Sequence, residues 1–366
     1  MTHSYTWVQW NPHKKTYDLV LALLCVFYLA AFVAVSTLTH QGEHQLSIML
    51  LLTRAFSTLA LILLHIILCI GPLSRFTTLV APLLYNRRHL GVTMALAALA
   101  HSALVILYYG GFGDRFPLAA AVDGYQSFTS ISGFPFEVLG LLALLIIVTM
   151  AATSHDFWLS FLTPRTWKTL HMLVYIAYAL TLAHVFLGFL QSEQSPILSS
   201  LLIAGAALVT TLHLLAGLYE RKRDTTGLDP ATDSADPDSN EPTWIDIGAI
   251  NDFEPDVGRV ICLKQRERVA VFRHNNTLSA MSNVCAHQGG PLGEGQIVDG
   301  CVTCPWHGYQ YLPESGQSPP PYHEKIPTYE LHIQGTRVML NPTPNAPGTP
   351  VDPAAIPVSV EDQSNG

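Results

Sequence analysis

The chain has 366 residues, 49% of them hydrophobic and only 13% charged. A soluble domain carries roughly twice that share of charge, so the composition excludes a wholly water-soluble protein. The formal net charge of −8 comes largely from the polar C-terminal third and offers no basic footprint for nucleic acid.

Apolar residues concentrate between positions 17 and 219, where six stretches are long enough to cross a ~30 Å hydrocarbon core. The predicted spans are 17–38, 54–70, 90–109, 134–152, 169–190 and 197–219. Residues 1–16 precede them as a cytoplasmic N-terminus. No small-residue cleavage site follows the first apolar run, so it reads as a retained helix. Arg54 interrupts the apolar stretch from Leu46 and marks the start of the second span. Lys14, Lys15, Arg75, Arg87, Arg88, Arg165, Lys168, Arg221, Lys222 and Arg223 fall on one side of these spans. The other side has Arg115 and, at its edge, Arg54. That bias predicts a multi-pass protein in the lipid bilayer of a bacterial-type inner (plasma) membrane, with both termini cytoplasmic. A reduced cytosol suits six cysteines with no disulfide framework. Cys25 and Cys69 read as small core residues. On the outer side, Asp114, Arg115 and Asp123 read as solvated loop residues, and Glu137 as an interfacial acid.

Residues 224–242 are acidic, broken by proline and almost free of large apolar side chains. They read as a flexible tether whose r.m.s. span is on the order of 25 Å. Residues 243–341 follow as a small β domain. Its expected strands include 257–264 and 268–274, and a hairpin pairs 331–333 with 338–340 about Gln334-Gly335. The Pro-rich stretch 342–366 is expected to be disordered.

Within the β domain stand Cys285-Ala286-His287 and Cys304-Pro305-Trp306-His307-Gly308. Two thiols and two imidazoles suit either zinc or a mixed-ligand iron–sulfur cluster. Zinc sites usually space paired ligands by two to four residues, and Cys285-x-His287 is tighter. A mixed-ligand [2Fe-2S] centre puts two thiolates on one iron and two imidazoles on the other. The order Cys, His, Cys, His lets each loop give one ligand to each iron.

The runs Cys285-Ala-His287-Gln288-Gly289-Gly290-Pro291-Leu292 and Cys304-Pro-Trp-His307-Gly308-Tyr309 resemble the cluster loops of the Rieske family. The resemblance is to its ferredoxin and oxygenase branch. The respiratory branch has a further cysteine in each loop, where this chain has Gly290 and Trp306, so the disulfide of that branch cannot form. Cys301 lies before Cys304, outside the motif. Tyr309 stands where the high-potential branch has a serine that bonds a sulfur. The resemblance therefore implies a potential in the lower part of the roughly −150 to +300 mV Rieske range. Trp306 is expected to shield the cluster from water. His323 and His332 read as surface residues.

Ionisable residues inside spanning helices are costly and usually functional. The spans contain His65, His101, His171, His184 and His213. Beside an electron-transfer cluster, such a set favours axial haem ligation. His101 and His184 fall at similar depth on the third and fifth spans. His65 and His171 share the inner leaflet, with His213 as the competitor for that role. His171 and His184 are 13 residues apart, roughly 20 Å along a helix. On an ideal helix that spacing turns the two side chains about 140° apart.

Arg88-His89-Leu90-Gly91 followed by His101, and Trp167-Lys168-Thr169-Leu170-His171 followed by Tyr175 and His184, resemble the ferric reductase-like transmembrane family. The likeness covers roughly residues 50–220. It is closest to the haem-binding membrane subunits of bacterial methionine sulfoxide reductase systems. It implies His101 and His184 as the outer haem pair and His171 as an inner ligand. The inner partner on the third span maps near Arg87. Either His65 or His213 therefore replaces that ligand, or one haem binds. Ferric reductases also end in a flavin and nicotinamide module. No G-x-G-x-x-G unit occurs here.

The expected fold is an α-helical membrane protein, a six-helix haem-binding bundle followed by a small all-β Rieske domain. The expected cofactors are a Rieske [2Fe-2S] cluster and one or two b-type haems. The expected function is single-electron transfer between the cytoplasmic cluster and the membrane haem. A separate cytosolic donor, a flavoprotein reductase or a ferredoxin, would supply electrons, and an external acceptor would take them. Two alternatives are reverse delivery to a cytosolic oxygenase or reductase, and a non-catalytic redox or iron sensor. A Rieske oxygenase is disfavoured because the sequence offers no 2-His-1-carboxylate iron site.

Overall fold

The computed structural model describes residues 12–39, 46–110, 116, 119, 135–154, 158, 162, 164–188, 196–225, 227–228, 244–263, 267–287, 289–306, 308–320 and 322–357. Trp7–Ala216 forms one compact unit, and Gly217–Gly366 lies in the other.

The first unit is helical. Its elements are α1 (Pro12–Thr39), α2 (Ile48–Leu73), α3 (Ala81–Tyr85), α4 (Arg87–Gly110), α5 (Phe136–Ala152), α6 (Pro164–Met172), α7 (Val174–Leu187) and α8 (Pro196–Thr225), whose last turns, from Gly217 on, belong to the second unit. Among the described residues, five runs are long and apolar enough to cross a membrane: Lys14–Thr39, Ile48–Leu73, Arg87–Tyr108, Thr166–Leu187 and Pro196–Thr225. The helix α5 is apolar but shorter, at 17 residues. Leu19, Leu23 and Phe27 of α1 and Leu201, Leu208 and Leu218 of α8 stay exposed, as lipid-facing side chains do. The buried stripe Leu51, Ala55, Leu59 and Leu63 on α2 repeats every fourth residue, which makes one face of a helix. The helix α2 packs chiefly on α4, and α5 on α7. His89 of α4 reaches Asp18 of α1 at 2.6 Å.

Two helix boundaries differ from the sequence expectation. The second helix starts at Ile48, because Ser47 caps it by accepting the Leu50 N–H at 3.3 Å. Arg54 is therefore inside a helix and does not begin one. The fifth span is broken at Leu173, whose N–H bonds the Leu170 carbonyl at 3.1 Å, a tighter 3₁₀ bond. His171 and His184 thus stand on separate helical pieces, α6 and α7, and the angle of an ideal helix does not apply between them.

The second unit holds eleven strands among the described residues: β1 (Ile245–Ala249), β2 (Gly258–Cys262), β3 (Arg268–His274), β4 (Thr277–Ser282), β5 (Gln296–Val298), β6 (Cys301–Thr303), β7 (Gln310–Tyr311), β8 (Thr328–Tyr329), β9 (Leu331–Gln334), β10 (Arg337–Leu340) and β11 (Ala354–Ala355). They form three sheets, ordered β1-β10-β9, β11-β4-β3-β2 with β8 beside β4, and β5-β6-β7. Both expected hairpins are present, β2 with β3 and β9 with β10. Between β3 and β4, Asn275 and Asn276 take φ of 45° and 60°, the positive pair that a two-residue hairpin turn needs.

Alternation along β3 explains how so small a domain fills two cores. Val269 and Val271 face one core with Phe253, Leu278 and Val338. Ala270 and Phe272 face the other with Met281, Leu292, Tyr311 and Ile326. Successive strand residues point to opposite faces, so a strand covered on both sides reads as an unbroken apolar run. Cys285 and Cys304 belong to the second core.

Two expectations about disorder need correction. The Pro-rich C-terminal stretch is ordered through position 357. Its β11 pairs with β4, Ile356 is buried, and the Ile356 carbonyl accepts the Asn276 amide at 2.9 Å. A buried isoleucine and a strand ladder outweigh the composition. The tether, expected from 224, begins attached to the β domain. Asp224 pairs with Arg268 at 2.5 Å, and the Leu228 N–H bonds the Cys262 carbonyl at 2.9 Å. The Gly227 backbone lies so close to Leu263 that a Cβ would meet its carbonyl carbon at 2.9 Å. Residues 229–243 and 358–366 lie outside the described residues, as do Asp114, Arg115 and Asp123.

Candidate redox sites

The two cluster loops share one backbone design. The Cys285 N–H donates to the Gly290 carbonyl at 2.9 Å, and the Gly289 N–H to the Cys285 carbonyl at 2.7 Å. In the second loop the Cys304 N–H donates to the Tyr309 carbonyl at 2.8 Å, and the Gly308 N–H to the Cys304 carbonyl at 2.9 Å. In each loop the residue four after the cysteine is a glycine, with φ of 73° at Gly289 and 71° at Gly308. Only glycine takes that conformation without strain. The sequence therefore builds one tight turn twice.

These turns bring the two thiols into the domain interior, with Cys285 and Cys304 each 1% exposed. A Cβ on Gly290 would fall 2.7 Å from the Cys304 sulfur and 3.1 Å from the Trp306 ring. Gly290 and Trp306 are the two positions where the respiratory branch has cysteines, and here an indole lies against a bare backbone. His287 is half-buried and stacks on Tyr309, with ring centres 4.6 Å apart and planes 11° apart. His307 lies outside the described residues. Two buried sulfurs and a braced imidazole in a pair of equivalent loops form a donor set that fits a mixed-ligand [2Fe-2S] centre.

Sequence reasoning missed Tyr311. This residue of β7 is fully buried, and its hydroxyl lies 3.3 Å from the Cys285 sulfur. The Ala286 N–H donates to the same hydroxyl oxygen at 3.0 Å, so the phenolic proton is left to point at sulfur. Burial, with Cys285 beside it, pushes the Tyr311 phenol up, and it stays a donor at neutral pH. The signal was present in the period of two. Tyr309 and Tyr311 lie on one side of the chain as it leaves the loop, and the sequence reading weighed only the first.

In the helical unit the structure brings His101 and His184 together, with ring centres 6.5 Å apart and planes at 73°. His101 Nδ1 donates to the Thr53 carbonyl at 3.0 Å, and His184 Nδ1 to the Phe136 carbonyl at 2.9 Å. Carbonyls only accept, so Nδ1 carries the proton and Nε2 keeps its lone pair. A metal-ligating imidazole has this arrangement. Metal–imidazole bonds run about 2 Å, so two rings on opposite sides of one ion stand roughly 6 Å apart, and the observed separation fits. Gly140 of α5 makes room for the pair, because a Cβ there would fall 2.8 Å from the His184 ring.

The other three histidines have different partners. His65 donates from Nδ1 to its own helix at Leu61 (2.8 Å), and its Nε2 accepts the Tyr178 hydroxyl at 3.1 Å. A Cβ on Gly205 of α8 would come 2.6 Å from the same Nε2. His213 bonds the Val209 carbonyl at 2.9 Å, and its Nε2 faces the Tyr175 hydroxyl at 3.1 Å. His171 stacks on Trp167 at 3.6 Å, bonds the Trp167 carbonyl at 3.0 Å and lies 3.4 Å from the Ser154 hydroxyl. No hydrogen bond or ring contact joins His65 to His171 among the described residues.

Comparison with known families finds a match in each unit. Residues 243–330 match the Rieske [2Fe-2S] domain, and residues 55–182 match the ferric reductase like transmembrane component. The anthranilate 1,2-dioxygenase ferredoxin subunit of Burkholderia cepacia is 33% identical over 99 residues, 27% of this chain and 91% of that protein. The protein-methionine-sulfoxide reductase heme-binding subunit MsrQ of Caulobacter vibrioides is 28% identical over 223 residues, 60% of this chain and 96% of that protein. A solved complex of reduced oxygenase and oxidized ferredoxin in carbazole 1,9a-dioxygenase matches with a TM-score of 0.27 at 20% identity, over 29% of this chain and 99% of that one. The chain carries a ferric reductase-like transmembrane component followed by a Rieske [2Fe-2S] domain.

Proposed function

We propose that this membrane electron-transfer protein exchanges single electrons between a cytoplasmic Rieske cluster and one b-type haem. The cluster would be held by Cys285, His287, Cys304 and His307, and the haem by His101 and His184. Both groups supply one-electron chemistry when bound. The observation that carries the haem assignment is the His101–His184 pair, whose Nδ1 atoms are tied to carbonyls of other helices and whose Nε2 atoms have no hydrogen bond among the described residues. His65 and His213 offer no such nitrogen, since tyrosine hydroxyls occupy Nε2 in both. This reading takes one bis-histidine haem in place of the inner pair of His65 and His171 expected from sequence.

In this reading electrons enter from a separate cytosolic donor, a flavoprotein reductase or a ferredoxin, and leave to an acceptor on the external face. The similarity to a dioxygenase ferredoxin subunit supports the first partner class. The chain's own residues keep the cluster site dry and tuned. Trp306 lies against Gly290, and Tyr311 donates to the Cys285 sulfur. Hydrogen bonds to cluster sulfurs raise the potential. Tyr311→Phe should therefore lower the midpoint by on the order of 50 mV, the equivalent of about 1 kcal/mol for one electron. EPR-monitored potentiometry reads it, and an unchanged midpoint would show that the hydroxyl does not act on the cluster.

Direction is tested by topology and kinetics together. A reporter fused after Gly366 should be active only where the cytoplasm supports it, because the Lys and Arg bias is strong. An impermeant oxidant on the external face should reoxidise the reduced haem rapidly. A periplasmic reporter signal removes the cytosolic donor. Slow reoxidation from outside removes the external acceptor.

A further inference from the structure

Tyr309 has a second neighbour that the cluster motif does not account for. Its hydroxyl donates to the Glu324 carboxylate. The same carboxylate oxygen accepts the His323 backbone N–H at 3.1 Å, which fixes it in place. The Tyr309 ring is buried between His287, at 4.6 Å, and Tyr322, at 4.8 Å. Glu324 itself is half-buried, two residues before the buried Ile326. A carboxylate is thus held one aromatic ring away from an imidazole of the cluster site.

We infer that Glu324 is a positioning residue for the cluster, which holds a negative charge against the Tyr309–His287 stack and so lowers the reduction potential. The inference rests on the Rieske assignment of Cys285, His287, Cys304 and His307. The physical cause is Coulombic. A reduced cluster carries one more negative charge than an oxidised one, and a nearby carboxylate disfavours it. The effect is strongest where protein excludes water between the two, and net charge and exposure are among the levers on cluster potentials. Tyr309 therefore does more than omit a sulfur-bonding hydroxyl. Its ring spaces the Glu324 carboxylate from the ligand and excludes water between them.

The test uses the full-length protein with its cluster, read by EPR and by potentiometric titration. Glu324→Gln keeps the size and removes the charge. It should raise the midpoint enough to shift the electron-exchange equilibrium about tenfold, which is about 59 mV for one electron. Glu324→Asp, which keeps the charge, should stay near wild type, and Tyr309→Phe, which removes the hydroxyl but leaves the carboxylate in place, should not raise the midpoint. An unchanged midpoint in Glu324→Gln with an intact EPR signal overturns the inference, as does Glu324→Asp moving as far as Glu324→Gln. If Glu324→Gln does not assemble the cluster, Glu324→Ala decides, and an unchanged midpoint there overturns the inference. Absence of a mixed-ligand signal in the wild type would overturn the cluster assignment as well.

Discussion

Cys304→Ser is expected to abolish the [2Fe-2S] EPR signal and the acid-labile sulfide while leaving haem absorbance unchanged. Cys304 is 1% exposed, and its backbone is fixed at both N–H and carbonyl by Tyr309 and Gly308. No other thiol can take its place without rebuilding the turn. A serine hydroxyl is a hard oxygen donor where the cluster needs a soft thiolate. The haem should survive because His101 and His184 belong to the other structural unit. Cys301→Ser is the matched control. That thiol is also buried and stands on β6, and burial, with Glu314 and Asp299 nearby, pushes it up, which keeps it a thiol. It should retain the full signal. Zinc without labile sulfide in the wild type, or loss of the signal in Cys301→Ser with retention in Cys304→Ser, would overturn the site.

His101→Ala and His184→Ala should each remove the same haem completely, seen as loss of the b-type optical bands and of haem in a pyridine haemochrome assay. The two ring centres lie 6.5 Å apart, and neither has a second histidine at that distance among the described residues. His65→Ala should keep the haem. Its cost should appear in stability, about 1–3 kcal/mol, because the Tyr178 hydroxyl loses its acceptor in a part-buried place. The wild type should contain one haem per chain. A count of two, with one lost in His65→Ala, would falsify the single-haem reading and restore His65 and His171 as the inner pair. A count of one that persists in both His101→Ala and His184→Ala would move the site elsewhere in the bundle.

Much of this was legible in the amino-acid sequence because it depends on local spacing. A glycine four residues after each cysteine shapes each cluster turn, and the Cys and His of each loop are neighbours in the chain. Apolar length alone marks the spanning segments, since the cost of an exposed peptide group in lipid leaves few other solutions. Depth matched by counting put His101 beside His184 because rise per residue is constant in a helix. Only the tertiary structure decided which nitrogens were already engaged. Tyr178 meets His65 across 113 positions, Tyr175 meets His213 across 38, and Tyr311 reaches Cys285 across 26. The same holds for Glu324 on Tyr309 and for β11, whose proline-rich surroundings hid a strand. A hydrogen bond to a distant residue depends on how helices and sheets pack, and the residue types alone allow many partners. Composition and spacing therefore determined that the chain has a membrane-spanning helical part and a cluster domain. The long-range contacts decided which imidazole nitrogens are already hydrogen-bonded and which carboxylate stands beside Tyr309.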